Sequence, residues 1–311
     1  MEGAKCAKSA DLFGCKVYGI DRPGFGSSEP LPNQSAEMDP DTYMQGFIDE
    51  VWDFVHAKRW KRFSVIGVSG GGPYALAMLE RYLAMTTEEN DGDDADDNSS
   101  KADSKASSTS SIASVPKLMA VCVVAGIACG AGTEGMLDAS KKLLEINMSG
   151  GYWGTLFLKW NLALQSFLVS YLPTKWLISL CKFMFKNLPT PESHLIQSQP
   201  GVVDFIVQDC KESFRQGSNH AFLESRVLFR KSHGFEVSLM DKWAAGKNGQ
   251  LPKVSLYQGG MDVNVPASHS RYVQKTIFGG EHVQLREYPK LGHFSLIVKM
   301  SDEYVQSAAP V

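Results

Sequence analysis

The apolar positions of this chain follow two periods in alternation. Lys16 to Ile20 is a short apolar run, with Val17, Tyr18 and Ile20, and it ends at once in Asp21-Arg22-Pro23-Gly24-Phe25-Gly26. A β-prone run that stops at a Pro/Gly turn predicts a strand feeding a loop. Asp39 or Asp41 then offers an N-cap, and Tyr43, Phe47, Ile48, Val51, Trp52 and Val55 recur at helical spacing, which predicts a helix to Ala57. Phe63 to Val68 reads as a second strand, and Gly70-Gly71-Gly72-Pro73 opens a helix that should run to Tyr82. Lys117 to Gly126 is a continuous apolar run, as expected of a strand buried on both faces. Val254 to Tyr257 and Val283 to Tyr288 are two further strands. Strands alternating with helices predict an α/β fold with a mostly parallel sheet.

Residues 131–249 are mostly helical in pattern, far more chain than a plain crossover needs. They are expected to form a helical cap over a core built from residues 1–85, 116–130 and 250–311, with the apolar spacing of Asn219 to Phe229 as an example. The stretch from Tyr152 to Leu188 is rich in Trp153, Phe157, Trp160, Phe167, Trp176, Phe183 and Phe185, which are expected to fill the interior of that cap. Lys159, Asn161, Gln165, Pro173, Lys175, Lys182 and Lys186 interrupt it, so an amphipathic arrangement is expected and a spanning helix is not.

Composition changes the picture in one place. Residues 86–115 are dominated by Asp, Ser, Ala and Thr and have almost no large apolar side chains, so they are expected to be a disordered surface insertion. Eight acids and one base lie between Glu88 and Asp103, which puts −7 on that stretch and +4 on the rest of a chain whose net charge is −3. No Lys/Arg stripe with interleaved aromatics suggests a nucleic-acid partner. The six cysteines, Cys6, Cys15, Cys122, Cys129, Cys181 and Cys210, form no C-x-x-C pair, so free thiols are expected and a metal site is not. With no apolar signal run after Met1, a reducing, cytoplasmic setting is the default reading.

The chemistry sits in Gly67-Val68-Ser69-Gly70-Gly71, a G-x-S-x-G directly after a predicted strand and directly before a predicted helix. That context makes the motif a nucleophile elbow. The serine stands on a tight turn, and the glycines two positions either side are expected because side chains there would collide as strand and helix close up. The Gly70 N–H then faces a developing oxyanion at the positive end of the helix. A glycine-rich turn without chemistry is the plain alternative, while a dinucleotide fingerprint is unmatched and no P-loop lysine follows.

Asp21-Arg22-Pro23-Gly24-Phe25-Gly26-Ser27-Ser28 followed by Gly67-Val68-Ser69-Gly70-Gly71-Gly72-Pro73 resembles the α/β-hydrolase superfamily. The resemblance extends in layout from Val17 to Val305 and implies an α/β-hydrolase sheet with a helical cap. An elbow serine needs an imidazole to take its proton and a carboxylate to fix the imidazole tautomer, in the chain order serine, acid, histidine. Gly259-Gly260-Met261-Asp262-Val263-Asn264-Val265-Pro266 is similar to the family's acid loop, and Leu291-Gly292-His293-Phe294 follows the last strand. Asp262 and His293 are therefore the expected partners of Ser69, with Asp138 as the fallback acid. His56, His194, His220, His233, His269 and His282 lack that context.

A serine nucleophile disfavours the chemistry of carboxylate nucleophiles and implies acyl transfer to water, with an apolar acyl compound as substrate and no cofactor. The resemblance also implies a further strand, ending in a His-Gly loop, between the strand carrying Asp21 and Phe63–Val68. No such strand precedes Lys16. The expectation is an N-terminally truncated fold: either the two flanking strands slide together or the sequence is incomplete. A fold without catalysis, lacking half its oxyanion hole, is the competing expectation.

Overall fold

The computed structural model describes residues 2–91, 115–149, 151–186, 188–199, 201–230, 232–245, 251–280 and 282–309. Helix α1 (Glu2–Leu12) precedes an extended stretch, the Arg22–Gly26 turn and α2 (Pro40–Ala57). Strand β1 (Arg62–Val68) leads through a 3-10 turn, Ser69–Gly71, into α3 (Gly72–Asp91), and β2 (Lys117–Val124) follows. Seven described helices then separate β2 from β3: α4 (Asp138–Ser149), α5 (Tyr152–Tyr171), α6 (Thr174–Lys186), α7 (Thr190–Ser198), α8 (Gly201–Ser213), α9 (Asn219–Leu228) and α10 (Glu236–Ala245). The chain closes with β3 (Lys253–Gly259), α11 (Ala267–Tyr272) with a π turn at Val273–Ile277, β4 (Val283–Tyr288), α12 (His293–Lys299) and α13 (Ser301–Ala308).

The four strands lie in chain order and pair in parallel. Register sets Val65, Val121, Val254 and Val283 in one row across the sheet. That row faces a core shared with Tyr43, Phe47, Trp52, Leu79 and Trp243 from α2, α3 and α10. The alternate positions Ile66, Cys122, Val124 and Tyr257 face a second core with Cys6 and Ala10 of α1 and Leu296, Tyr304 and Val305 near the C-terminus. Both faces are covered, as a parallel sheet requires. Helix α2 shows how local sequence sets an element. Asp39 is its N-cap, accepting the Thr42 N–H at 2.9 Å, Pro40 sits in the first turn, and Tyr43, Met44, Phe47, Ile48, Trp52 and Val55 form the buried stripe.

Three expectations need correction. Lys16–Ile20 is extended but joins no ladder, so it is not a strand. Tyr18 instead lies against Trp60 and Phe54, with ring centroids 4.9 and 5.9 Å away, and Tyr18 and Ile20 remain exposed. The segment has not slid onto β1, and among the described residues no strand pairs the outer edge of β1. Second, Thr86–Asp91 continue α3, with the Thr86 hydroxyl donating to the carbonyls of Tyr82 and Leu83. The remainder of the expected insertion, 92–114, lies outside the described residues. Third, Trp153, Phe157, Trp160, Phe167, Trp176 and Phe183 are exposed and only Phe185 is buried. The interiors of these helices are filled by smaller aliphatic side chains, including Leu177, Val203 and Val207.

Candidate active site

Ser69 sits where β1 ends, with φ of +53°. This left-handed backbone is uncommon for a residue with a side chain and stores strain. It is sustained by the surroundings. A Cβ on Gly67 would come within 2.7 Å of Ala75 Cβ and strike the Gly71 carbonyl, so strand and helix meet only because residue 67 has no side chain. The matching expectation for Gly71 is wrong, since a Cβ there would meet nothing within 4 Å. The second close approach is at Gly72, whose added Cβ would lie 2.8 Å from Gly126 Cα, just past β2. Gly70 follows the serine in the first turn, where its N–H has no earlier helical carbonyl to bond. A Cβ on Gly70 would approach Leu228 Cδ1 to 2.8 Å, so the end of α9 rests on the elbow.

Asp262 follows β3, and His293 opens α12 after β4. The two loops are laced together by Gly260 N–H to the Tyr288 carbonyl at 2.9 Å and Met261 N–H to the Leu291 carbonyl at 2.9 Å. Asp262 Oδ1 accepts the N–H groups of Asn264 at 2.9 Å and Val265 at 2.8 Å. Its Oδ2 lies 2.7 Å from His293 Nδ1, and His293 Nε2 lies 3.0 Å from Ser69 Oγ. Asp262 is 4% exposed and His293 5%, while Ser69 is half-buried. The structure thus brings together all three residues named from the sequence in one relay, with Gly70 beside them. With Nδ1–H donating to the carboxylate, Nε2 is left to accept from the serine hydroxyl.

The fallback acid, Asp138, stands apart: it is exposed and pairs with Lys141 at 3.4 Å. The other buried histidines have partners elsewhere. His220 Nε2 is 2.6 Å from the Ser213 carbonyl, His269 Nδ1 accepts the Ala128 N–H at 3.0 Å, and His233 Nε2 is 3.2 Å from Cys129 Sγ. His56, His194 and His282 are exposed. Among the described residues no group of three or more His, Cys, Asp or Glu is placed to hold a metal ion.

Two supports around the relay have no signature in the sequence. Glu192 of α7 is buried and accepts the Ser295 N–H at 3.3 Å and the Ser295 hydroxyl at 3.4 Å, two residues past His293. Burial pushes the Glu192 carboxyl upward, against the pull of the Ser295 N–H and of His293. Glu224 of α9 reaches the early Arg22–Gly26 turn: its carboxylate is 3.2 Å from Arg22 Nε and accepts the Tyr74 hydroxyl at 2.6 Å. Burial raises the Glu224 carboxyl too, and Arg22 opposes the shift. A cavity of about 340 Å³ is lined by Leu158, Phe222, Arg226 and Arg230, and none of Ser69, Asp262 and His293 borders it.

The comparisons agree with this layout. The family model of the alpha/beta hydrolase fold matches residues 3–90, which include the Arg22–Gly26 turn and the elbow. A bromoperoxidase from Bacillus anthracis superposes over 98% of this chain and 84% of its own, with 12% identity and a TM-score of 0.55. The chain has the α/β-hydrolase fold. A mutant meta-cleavage product hydrolase from Pseudomonas fluorescens shares that fold over 99% of this chain and 83% of its own, with 13% identity and a TM-score of 0.55. A thermophilic esterase from Thermogutta terrifontis does so over 98% and 86%, with 14% identity and a TM-score of 0.53. No curated protein matches this α/β-hydrolase-fold chain by sequence.

Proposed function

We propose that this chain is a serine hydrolase that cleaves a carboxylic ester or a related acyl bond. The observation that carries the reading is the unbroken relay from Ser69 Oγ through His293 to Asp262, begun by a serine held at a strained turn in front of a helix. In this reading Ser69 Oγ attacks the acyl carbon while His293 Nε2 takes its proton. The tetrahedral oxyanion is met by the Gly70 N–H at the positive end of the turn. Its collapse forms the acyl-serine, and the imidazolium returns the proton to the departing alkoxide. A water molecule, deprotonated by the same nitrogen, then releases the acid and restores Ser69. Asp262 keeps Nδ1 protonated and stabilises the imidazolium between the two transfers.

Under the same reading, α4–α10 act as a cap, since the end of α9 rests on Gly70 and α7 reaches the first turn of α12 through Glu192. The relatives in fold carry names from different chemistries, so likeness to them does not choose among reactions; the relay supports acyl transfer through Ser69 as the class of chemistry. A fluorophosphonate probe tests it: the wild type should be labelled on Ser69, and labelling that persists in Ser69→Ala would end the proposal. A second reading, a fold with little or no turnover, is favoured by one observation. No described strand pairs the outer edge of β1, where the resemblance implies the neighbour that would supply the second oxyanion donor. One missing donor costs about 10²- to 10³-fold in turnover. Labelling without turnover of any aryl ester would support this second reading over the first.

A further inference from the structure

Helices α5 and α6 carry an apolar surface that stays exposed among the described residues. On α5, Trp153, Phe157, Trp160, Leu164, Phe167 and Tyr171 follow one another in steps of four and three residues, which places them in one stripe along the helix. All six are exposed, Trp153 to 78% and Trp160 to 68%. On α6, Trp176, Leu180 and Met184 are likewise exposed, while Leu177 and Phe185 face inward. Patches of this extent mark a surface with a partner.

Charge identifies the partner. From Ile146 to Pro191 the chain holds four lysines and no Asp or Glu. Lys159 pairs with the exposed carboxylate of Glu37. The other three, Lys175, Lys182 and Lys186, are exposed and follow at steps of seven and four, in a row beside the apolar stripe of α6. Two helices with an apolar stripe rich in Trp and Tyr, and with lysine as the charged residue they carry, match the pattern of helices lying in the interface of a bilayer with anionic headgroups. Among the described residues no helix is long and apolar enough to cross a membrane, in keeping with a surface position. A second copy fits less well. A self-complementary two-fold contact through α6 would set its lysines against those of the other copy, and lysine is depleted from such interfaces.

We infer that α5 and α6 seat this protein on an anionic membrane surface, with the aromatic stripe in the headgroup region and the α6 lysines on acidic lipid. The inference does not depend on the relay, so Ser69→Ala should bind like the wild type whatever becomes of the hydrolase reading. The test is co-sedimentation of the full chain with phosphatidylcholine vesicles, with and without phosphatidylserine, alongside tryptophan fluorescence. The wild type should pellet with the acidic vesicles, with its emission shifted to the blue. A Lys175→Glu, Lys182→Glu, Lys186→Glu variant should lose about 100-fold in partitioning to those vesicles. A Trp153→Ser, Trp160→Ser, Phe167→Ser variant should lose binding to both vesicle types. All substituted positions but the α6 row lie on the exposed α5 stripe, and retained circular dichroism confirms folding of either variant. A wild type that stays in the supernatant with both vesicles overturns the inference. So does vesicle binding that both variants retain, and so does a dimer in sedimentation velocity that the aromatic variant abolishes while the wild type ignores lipid.

Discussion

Two side-chain relays stand among the described residues, and each links a nucleophile type, an imidazole and a carboxylate. In one, Ser69 Oγ, His293 and Asp262 are joined at 3.0 and 2.7 Å. In the other, Cys129 Sγ lies 3.2 Å from His233 Nε2, and His233 Nδ1 lies 3.2 Å from Glu236 Oε1. A list of residue types would make the second the better nucleophile. The surroundings reverse that ranking. Ser69 is half-buried, held at φ +53°, and opens a helix whose first N–H groups face it. Cys129 is 8% exposed and lies in the loop after β2, and the next helix begins only at Asp138. Burial pushes its thiol up to about 12, so at neutral pH it stays protonated. Under the proposed function, a relay acts as a reactive centre when its first member opens a helical turn with unpaired backbone donors. Without these it is a buried hydrogen-bond network that ties loops together.

The difference is widest in turnover. Ser69→Ala should lower kcat of any ester that the wild type hydrolyses by about 10⁴- to 10⁶-fold, whereas Cys129→Ala should change it by less than about twofold. Steady-state kinetics on one aryl ester checks both, and a matching loss in Cys129→Ala would erase the distinction. Next comes the orienting carboxylate. Asp262→Asn leaves the shape but presents the wrong tautomer of His293 to Ser69, for about 10⁴-fold. Glu236→Gln should leave kcat unchanged in the same assay. The third effect concerns the thiol itself. A group held at about 12 is deprotonated at pH 8 about 10³-fold less than an ordinary cysteine, so Cys129 should alkylate slower than a free thiol by about that factor. Mass spectrometry of pulsed iodoacetamide labelling measures it, and rapid labelling of Cys129 in the native protein would show a thiolate where burial forbids one.

Only the first relay was legible in the sequence, and the reason is local. Ser69 is announced by glycines two positions away, and Asp262 and His293 each follow a short stretch with strand-favouring apolar residues, Val254–Tyr257 and Val283–Tyr288. Val283–Tyr288 is read to the residue, and α2 begins at one of the two caps that its sequence offers. The second relay joins Cys129 to His233 across 104 positions, with no spacing rule between them, and Glu192 reaches Ser295 across 103. Lys16–Ile20 misled for a related reason. Its residues favour a strand, but a strand exists only with a neighbour in register, and Tyr18 finds Trp60 instead. The aromatics of α5 and α6 misled because composition tells how much apolar surface a segment has but not which way it faces. The four-and-three spacing on α5 was readable as a stripe, yet whether a stripe is covered depends on helices far away in the chain.

The smallest effect separates the relays by stability. Burial alone would raise the Glu236 carboxyl, but the ring of His233 and the backbone N–H groups bonded to it prevail and hold it down to about 2. A carboxyl depressed in the folded state contributes stability above its ordinary range, and that contribution fades as pH falls from 4.5 towards 2. Glu236→Gln keeps an acceptor for the His233 N–H, which lies 2.8 Å from Oε1, and removes only the charge. Urea midpoints should therefore show the wild type ahead of the variant at pH 7, the gap narrowing below pH 4.5 as the carboxylate takes up its proton. A gap that stays constant from neutral to acid would mean that the carboxylate acts by shape alone. The Cys129 relay would then owe nothing to ionisation, and the contrast with Ser69 would rest on exposure and backbone geometry without electrostatics.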